Sequence, residues 1–182
     1  MRPLGYMYKH VESRPEWLSA ARVEDIYSLS GCISAPFGDY INHWKHNGFW
    51  LFDSPTDMKL LAKEISVALD GTKLFYYEAY EQEYDEDNRT WSAFDPESSF
   101  VTNVIVPPLK TLEGYDVTTF TAHTSPECSP LSCNSLAVTI STNAHCLFDT
   151  FGEARDALES SEFNDSEPGP FRIIAVYSVN DM

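Results

Sequence analysis

The residues best equipped for chemistry are four zinc-type ligands in the second half of the chain, Cys128, Cys133, His145 and Cys146, with His123 nearby. Structural zinc sites present their ligands in pairs, two to four residues apart, on turns. Cys128 and Cys133 enclose four residues, at the loose end of that range, and His145 and Cys146 are adjacent. Neighbours on an extended chain point to opposite faces, so only one of that pair can reach a common ion. The set stands as the metal alternative, and unligated core cysteines, acting as small apolar side chains, are the simpler expectation.

A second chemistry is nucleophilic. Cys128 follows His123 and Glu127 in a Pro-containing loop, and a thiol beside an imidazole can be activated as a thiolate. An acidic surround opposes this by raising the thiol pKa. Cys128 with His123 is therefore the catalytic alternative.

The third candidate is a run of carboxylates. Glu78, Glu81, Glu83, Asp85, Glu86 and Asp87 place six acids in ten residues with no base among them. On a strand, Glu81, Glu83 and Asp85 share one face, and Glu78, Tyr80 and Tyr84 the other. Tyr supplies contact area at interfaces, and carboxylates steer and pair with Lys and Arg. These eight residues form the predicted partner-binding set. A fourth cluster, His43-Trp44-Lys45-His46, offers two histidines three apart on a helix, without a third ligand nearby.

Other signatures are missing. No Gly-x-x-x-x-Gly-Lys or Gly-x-Gly-x-x-Gly loop, no Gly-x-Ser-x-Gly elbow and no EF-hand loop occurs. No cofactor is implied. The 182 residues carry a net charge of −16. Residues 1–74 hold nine acids and eight bases, whereas residues 75–182 hold nineteen acids and four bases. Such a field repels nucleic acid and anionic membrane and attracts basic partners. No apolar run approaches the roughly 18–20 residues that span a bilayer. The N-terminal residues lack an apolar leader core, so a cytoplasmic, soluble protein with reduced cysteines is expected.

The elements that must position these groups are organised around a phrase that occurs twice. Asn47-Gly48-Phe49-Trp50-Leu51-Phe52-Asp53-Ser54 returns as Asn143-Ala144-His145-Cys146-Leu147-Phe148-Asp149-Thr150, an offset of 96. At that offset Cys32 meets Cys128, and the helical stripe Phe37, Tyr40, Ile41, Trp44 meets Cys133, Leu136, Ala137, Ile140. His145 and Cys146 then align with apolar Phe49 and Trp50, which favours packing over ligation.

Strands are predicted at Tyr6 to Val11, Val23 to Leu29, Leu74 to Tyr84, Thr90 to Phe94, Phe100 to Val106, Tyr115 to Ala122 and Phe171 to Val179. Helices are predicted at Phe37 to His46, at Cys133 to Ile140 and after two capped starts. Asp53 or Ser54 caps Pro55, and Thr150 with Glu153 forms a capping box. The apolar run Ile173-Ile174-Ala175-Val176 predicts a central strand.

These readings converge on one α/β (α+β) domain over residues 1–182: a mixed sheet with helices packed on it. It is built from two similar β-α-α-β halves, about 20–84 and 115–180, with an inserted acidic hairpin. The expected function is non-enzymatic. An acidic, immunity-protein-like inhibitor would occlude a basic partner such as a nuclease-type toxin. The alternatives are a thiol- or zinc-dependent enzyme and a structural or regulatory module.

Overall fold

The computed structural model describes residues 1–43, 45–94, 102–119 and 128–180. Among these residues, five strands form one antiparallel sheet: β1 (Arg2–Lys9), β2 (Lys73–Asp85), β3 (Thr90–Ala93), β4 (Thr111–Thr119) and β5 (Phe171–Ser178). The order is β1-β2-β5-β4, and β3 pairs with the far end of β2. The run Phe171 to Val176 is buried throughout, and β5 lies between β2 and β4 as that apolar run predicts. Every ladder is antiparallel, so the sheet is not mixed in strand direction.

Two outer strands meet the repeated phrase in the same way. β1 is crossed at Tyr6, which exchanges backbone hydrogen bonds with Phe52 (2.8 and 3.1 Å). β4 is crossed at Tyr115, which exchanges them with Phe148 (2.9 Å both ways). A glycine precedes each crossing. Gly5 (φ +137°) and Gly114 (φ +147°) sit at ladder irregularities where a Cβ would lie 2.7 Å from Phe52 O and 2.6 Å from Phe148 O. Only glycine combines that φ with that approach.

The phrase is held by its asparagine. Asn47 Nδ2 donates to Leu4 O and its Oδ1 accepts from the Phe49 and Leu51 N–H groups. Asn143 Nδ2 donates to Glu113 O and its Oδ1 accepts from His145 and Leu147. Trp50 and Cys146 both adopt left-handed backbone, at φ 62° and 60°. Each phrase ends in an N-cap. Ser54 opens α1 (Pro55–Glu64), accepting from Asp57 N, and Thr150 opens α3 (Phe151–Glu159) through a full capping box.

Three predicted elements differ. Phe37 to His46 is not a helix but a 3-10 turn over Tyr40–His43. Gly38 at φ +54° blocks an earlier start, and Ile41 is exposed, so the apolar stripe does not stay on one face. Cys133 to Ile140 is likewise divided. The short helix α2 (Pro130–Cys133) is separated from a 3-10 turn at Leu136–Val138 by Ser135, which is left-handed at φ 61°. Val23 to Leu29 is mostly buried chain without a ladder, with Glu24 exposed. It is threaded between residues 12–14 and the second phrase, with Glu24 N and Asp25 N on Ala144 O and Tyr27 N on His145 O. Apolar spacing reports burial, and here burial comes without regular structure.

Residues 102–106 carry no strand, and Ile105 N bonds Asp53 O. The remainder of that predicted strand, and Phe120 to Ala122 of the next, lie outside the described residues. The core falls into two clusters. One is centred on Tyr6, Phe37, Phe52 and Phe75, the other on Leu131, Phe148, Phe163 and Phe171. No helix among the described residues is long and apolar enough to cross a membrane.

Candidate functional site

The predicted partner-binding residues do not share one surface. Glu78 points into the structure, where its carboxylate takes Lys110 Nζ (2.5 Å), Tyr76 Oη (3.0 Å) and Tyr177 Oη (3.1 Å). Burial alone would raise its pKa, but hydrogen bonds from Lys110 and Tyr76 outweigh that and hold it below the usual range. Tyr84 is buried against Trp91, and Tyr80 packs against Trp91 and Phe151. The ladder between β2 and β5 slips between Ala79 and Glu83, which breaks the simple alternation of faces expected from the sequence.

The remaining acids gather at the β2–β3 end. Glu83, Asp85, Glu86 and Asp87 line an open hollow of about 270 Å³ with Ser92 and the 168–170 turn. Glu83 pairs with Arg172 (2.5 Å), Asp85 accepts from Asn88 N and Nδ2, and Glu86 accepts from Gly169 N. Asp87 is exposed, and the Glu81 side chain is 73% exposed. Glu81, Asp85 and Asp87 therefore have carboxylate oxygens on the accessible side, whereas Glu86 Oε2 is buried.

The cysteines converge more closely than their spacing implies. Cys133 ends α2, half-buried, and its Sγ lies 3.4 Å from Ser30 Oγ. Ser30 Oγ also accepts from Cys32 N, which brings the 28–34 loop over α2. Cys128 donates its S–H to Asn134 Oδ1 at 3.1 Å. The neighbouring thiols of Cys128 and Cys32 lower the Cys133 pKa, and their own pKa values rise in turn. All three are thiols, Cys32 exposed and Cys128 buried.

Beneath this cluster lie two buried charges. The strand registers put Lys9 and Asp116 on one face of the sheet. Lys9 Nζ donates to the carbonyls of Ser28 (2.5 Å), Ser30 (2.7 Å) and Leu29 (3.2 Å), and burial pushes its pKa down to about 7. Asp116 Oδ2 accepts from Ser129 Oγ (2.6 Å) and Leu29 N (2.8 Å), and burial pushes its pKa up to about 6. Its Oδ1 is buried with no hydrogen-bond partner among the described residues. Lys9 and Asp116 thus pin the 28–30 segment from below while Ser30 and Ser129 tie it to α2.

His145 and Cys146 lie apart from the other two members of the metal set. His145 stacks on Tyr27 (4.0 Å between centroids) and pairs with Asp25 (2.6 Å) and Glu113 (3.7 Å). Cys146 is fully buried in the second core. No three His, Cys, Asp or Glu side chains among the described residues are placed to hold a metal ion. His123 and Glu127 lie outside the described residues. In the His43–His46 cluster, His46 stacks on Trp50 and His43 is exposed on the 3-10 turn; Trp44 lies outside the described residues.

No protein-family model, curated protein or solved structure matches this chain. Sequence reasoning picked out Cys128 and Cys133 but left Cys32 as a structural residue and missed Lys9, Ser30, Asp116 and Ser129. One signal was available: Lys9 and Asp116 are charges on strands otherwise rich in apolar and aromatic residues.

Proposed function

We propose that this chain is a non-enzymatic, cytoplasmic binding protein whose acidic hairpin end covers a basic partner, in the manner of an immunity protein against a nuclease-type toxin. The observation that carries this reading is the convergence of Glu83, Asp85, Glu86 and Asp87 on one open hollow, with Glu81 exposed nearby. Four carboxylates at such spacing attract Lys and Arg and compete with phosphate for a cationic groove. The binding set narrows to Glu81, Asp85 and Asp87, because Glu78, Tyr80, Glu83, Tyr84 and Glu86 are engaged within the fold.

The architecture that presents this hairpin is, on the same reading, a duplicated unit. Strand, turn, phrase, capped helix and strand recur as β1 to β2 and β4 to β5, with the hairpin strand β3 added after the first copy. The matched glycines, asparagines and left-handed residues support it, and they shift the first half's start from residue 20 to β1.

The test is titration of the purified chain against a panel of purified basic nucleases across salt concentrations. A Kd that weakens steeply with salt, and that is lost in Glu81→Lys/Asp87→Lys, supports the reading. Salt-independent affinity, or binding unchanged in that double variant, overturns it.

A further inference from the structure

We propose that Cys133 is the attacking thiol of a thiol–disulfide exchange site, with Cys32 as its resolving partner and a low-molecular-weight disulfide as co-substrate. The inference rests on geometry independent of the acidic hairpin. The 28–34 loop brings Cys32 over α2, where Ser30 Oγ accepts from Cys32 N and lies beside Cys133 Sγ, so the Cys133 sulfur has polar groups rather than hydrocarbon around it. Ser30 Oγ stands 3.4 Å and Ser132 Oγ 3.9 Å from Cys133 Sγ. Cys146 gives the contrast within the same chain: it is fully buried among apolar side chains, and burial raises its pKa.

The three thiols are not equivalent. Cys128 is buried and commits its S–H to Asn134. Cys32 is exposed on the loop that Ser30 anchors to α2. Cys133 is half-open, and the two neighbouring thiols lower its pKa. Charge from the buried Lys9 ammonium also reaches Cys133 and Cys32. Asp116 below and Glu167, which touches Asn134, are the opposing carboxylates. The assignment differs from an imidazole-activated Cys128: hydroxyls, thiols and an ammonium stabilise the thiolate, and no base is required.

The chemistry balances in two exchanges. The Cys133 thiolate attacks one sulfur of the external disulfide R–S–S–R; a Cys133–S–S–R bond forms, the external S–S bond breaks, and RS⁻ leaves. RS⁻ takes the Cys32 proton to leave as RSH. The Cys32 thiolate attacks Cys133 Sγ, forming the Cys32–Cys133 disulfide and expelling the second R group as RS⁻, which takes a proton from water. Two protein thiols are oxidised and one disulfide is reduced to two small thiols. Cys128 takes no part in bond making; it is a positioning residue for the Cys133 sulfur.

The experiment exposes the full chain to oxidised glutathione at pH 6 and maps adducts by mass spectrometry over time. The wild-type chain is expected to lose two thiols to a Cys32–Cys133 bond. Cys32→Ser is expected to stop at a glutathione adduct on Cys133, and Cys133→Ser to react slower by about tenfold or more. Alkylation of the unmodified chain with iodoacetamide at pH 6 needs no variant, and Cys133 is expected to label first. An adduct forming first on Cys32, equal labelling of Cys32 and Cys133, or stoichiometric zinc shielding the three thiols in the purified chain would each overturn the proposal.

Discussion

The Asn143 side-chain amide donates to the backbone carbonyl of Glu113 at 2.8 Å, immediately before the glycine that lets the phrase cross β4. The same oxygen–nitrogen side chain also accepts two backbone N–H groups, at 2.9 and 3.1 Å. One side chain thus satisfies three backbone groups that no helix or ladder reaches. Asn47 does the same against Leu4, Phe49 and Leu51. Replacing Asn143 with Ala leaves three partly buried groups unpaired, a loss of about 2–4 kcal/mol. Asn143→Asp keeps the two acceptor contacts but sets a carboxylate against a carbonyl, and is expected to be no better than Ala. Urea denaturation of the three proteins checks both statements.

The glycines make the sterner requirement. At Gly114 a Cβ would stand 2.6 Å from Phe148 O and 2.8 Å from Leu147 Cβ, both fixed by the crossing. The φ of +147° adds strain for any L side chain. Gly114→Ala is expected to cost more than about 3 kcal/mol. Gly71, with nothing within 4 Å of its would-be Cβ, is the control for left-handed strain without a clash, and Gly71→Ala costs about 1 kcal/mol. Thermal melts that rank the two variants in the opposite order would contradict this account of the joint.

The phrase was legible because its parts are local. A short apolar link and a Ser/Thr cap read out correctly from spacing, as did the apolar centre of β5, whereas each asparagine, whose spacing reads as a helix stop, holds the phrase through its side chain instead. The elements feeding it were less legible, since Phe37 to His46 and Cys133 to Ile140 keep helical spacing while Gly38 and Ser135 break the helix. Nothing in a serine's identity announces a left-handed backbone. The thiol cluster was half legible. Cys128 and Cys133 are close in sequence, on either side of α2's first turn, but Cys32 arrives through contacts about a hundred residues apart in sequence, such as Ser30 with Ser129. The charged run misled in a physical way: composition cannot tell Glu78, neutralised by Lys110, from Glu81, which faces water.

Lys9 gives the chain a specific pH dependence. Burial lowers its pKa to about 7 in the folded state against an ordinary value near 10.5. Between those limits the unfolded chain binds the extra proton, so raising the pH favours the fold, by at most about 1.4 kcal/mol per pH unit. Asp116 acts with the opposite sign at lower pH. Its raised pKa, about 6 against 3.8, means that the folded chain binds more protons, and stability falls as the pH rises between those values. Stability at pH 6 to 7 is thus expected to lie below that at pH 9. Lys9→Met is expected to flatten the rise above pH 7. Guanidinium denaturation at pH 6, 7.5 and 9 on both proteins measures the slope directly.

Glu83 separates folding from binding at the acidic end. Its carboxylate lies 2.5 Å from Arg172 Nη2, whose side chain is 6% exposed and stacks 4.2 Å over the Phe94 ring. Desolvation already lowers the Arg172 pKa, and Glu83 is the charge that opposes it. Removing Glu83 takes a charge-assisted hydrogen bond from a guanidinium in a poorly hydrated place, and breaking a buried pair costs about 3–5 kcal/mol. Glu83→Gln is therefore expected to destabilise markedly, and Glu83→Lys, which sets two cations together, more so. Glu81→Lys loses only an exposed contact with the N-terminal ammonium (3.9 Å) and Asp87 is exposed, so both are expected to shift stability by less than about 0.5 kcal/mol. A loss of partner binding in Glu83→Lys would then report partial unfolding, whereas the same loss in Glu81→Lys/Asp87→Lys would report the surface itself. Denaturation midpoints measured beside the binding titrations distinguish the two. Equal midpoints for Glu83→Lys and the wild-type chain would mean that Arg172 does not depend on Glu83.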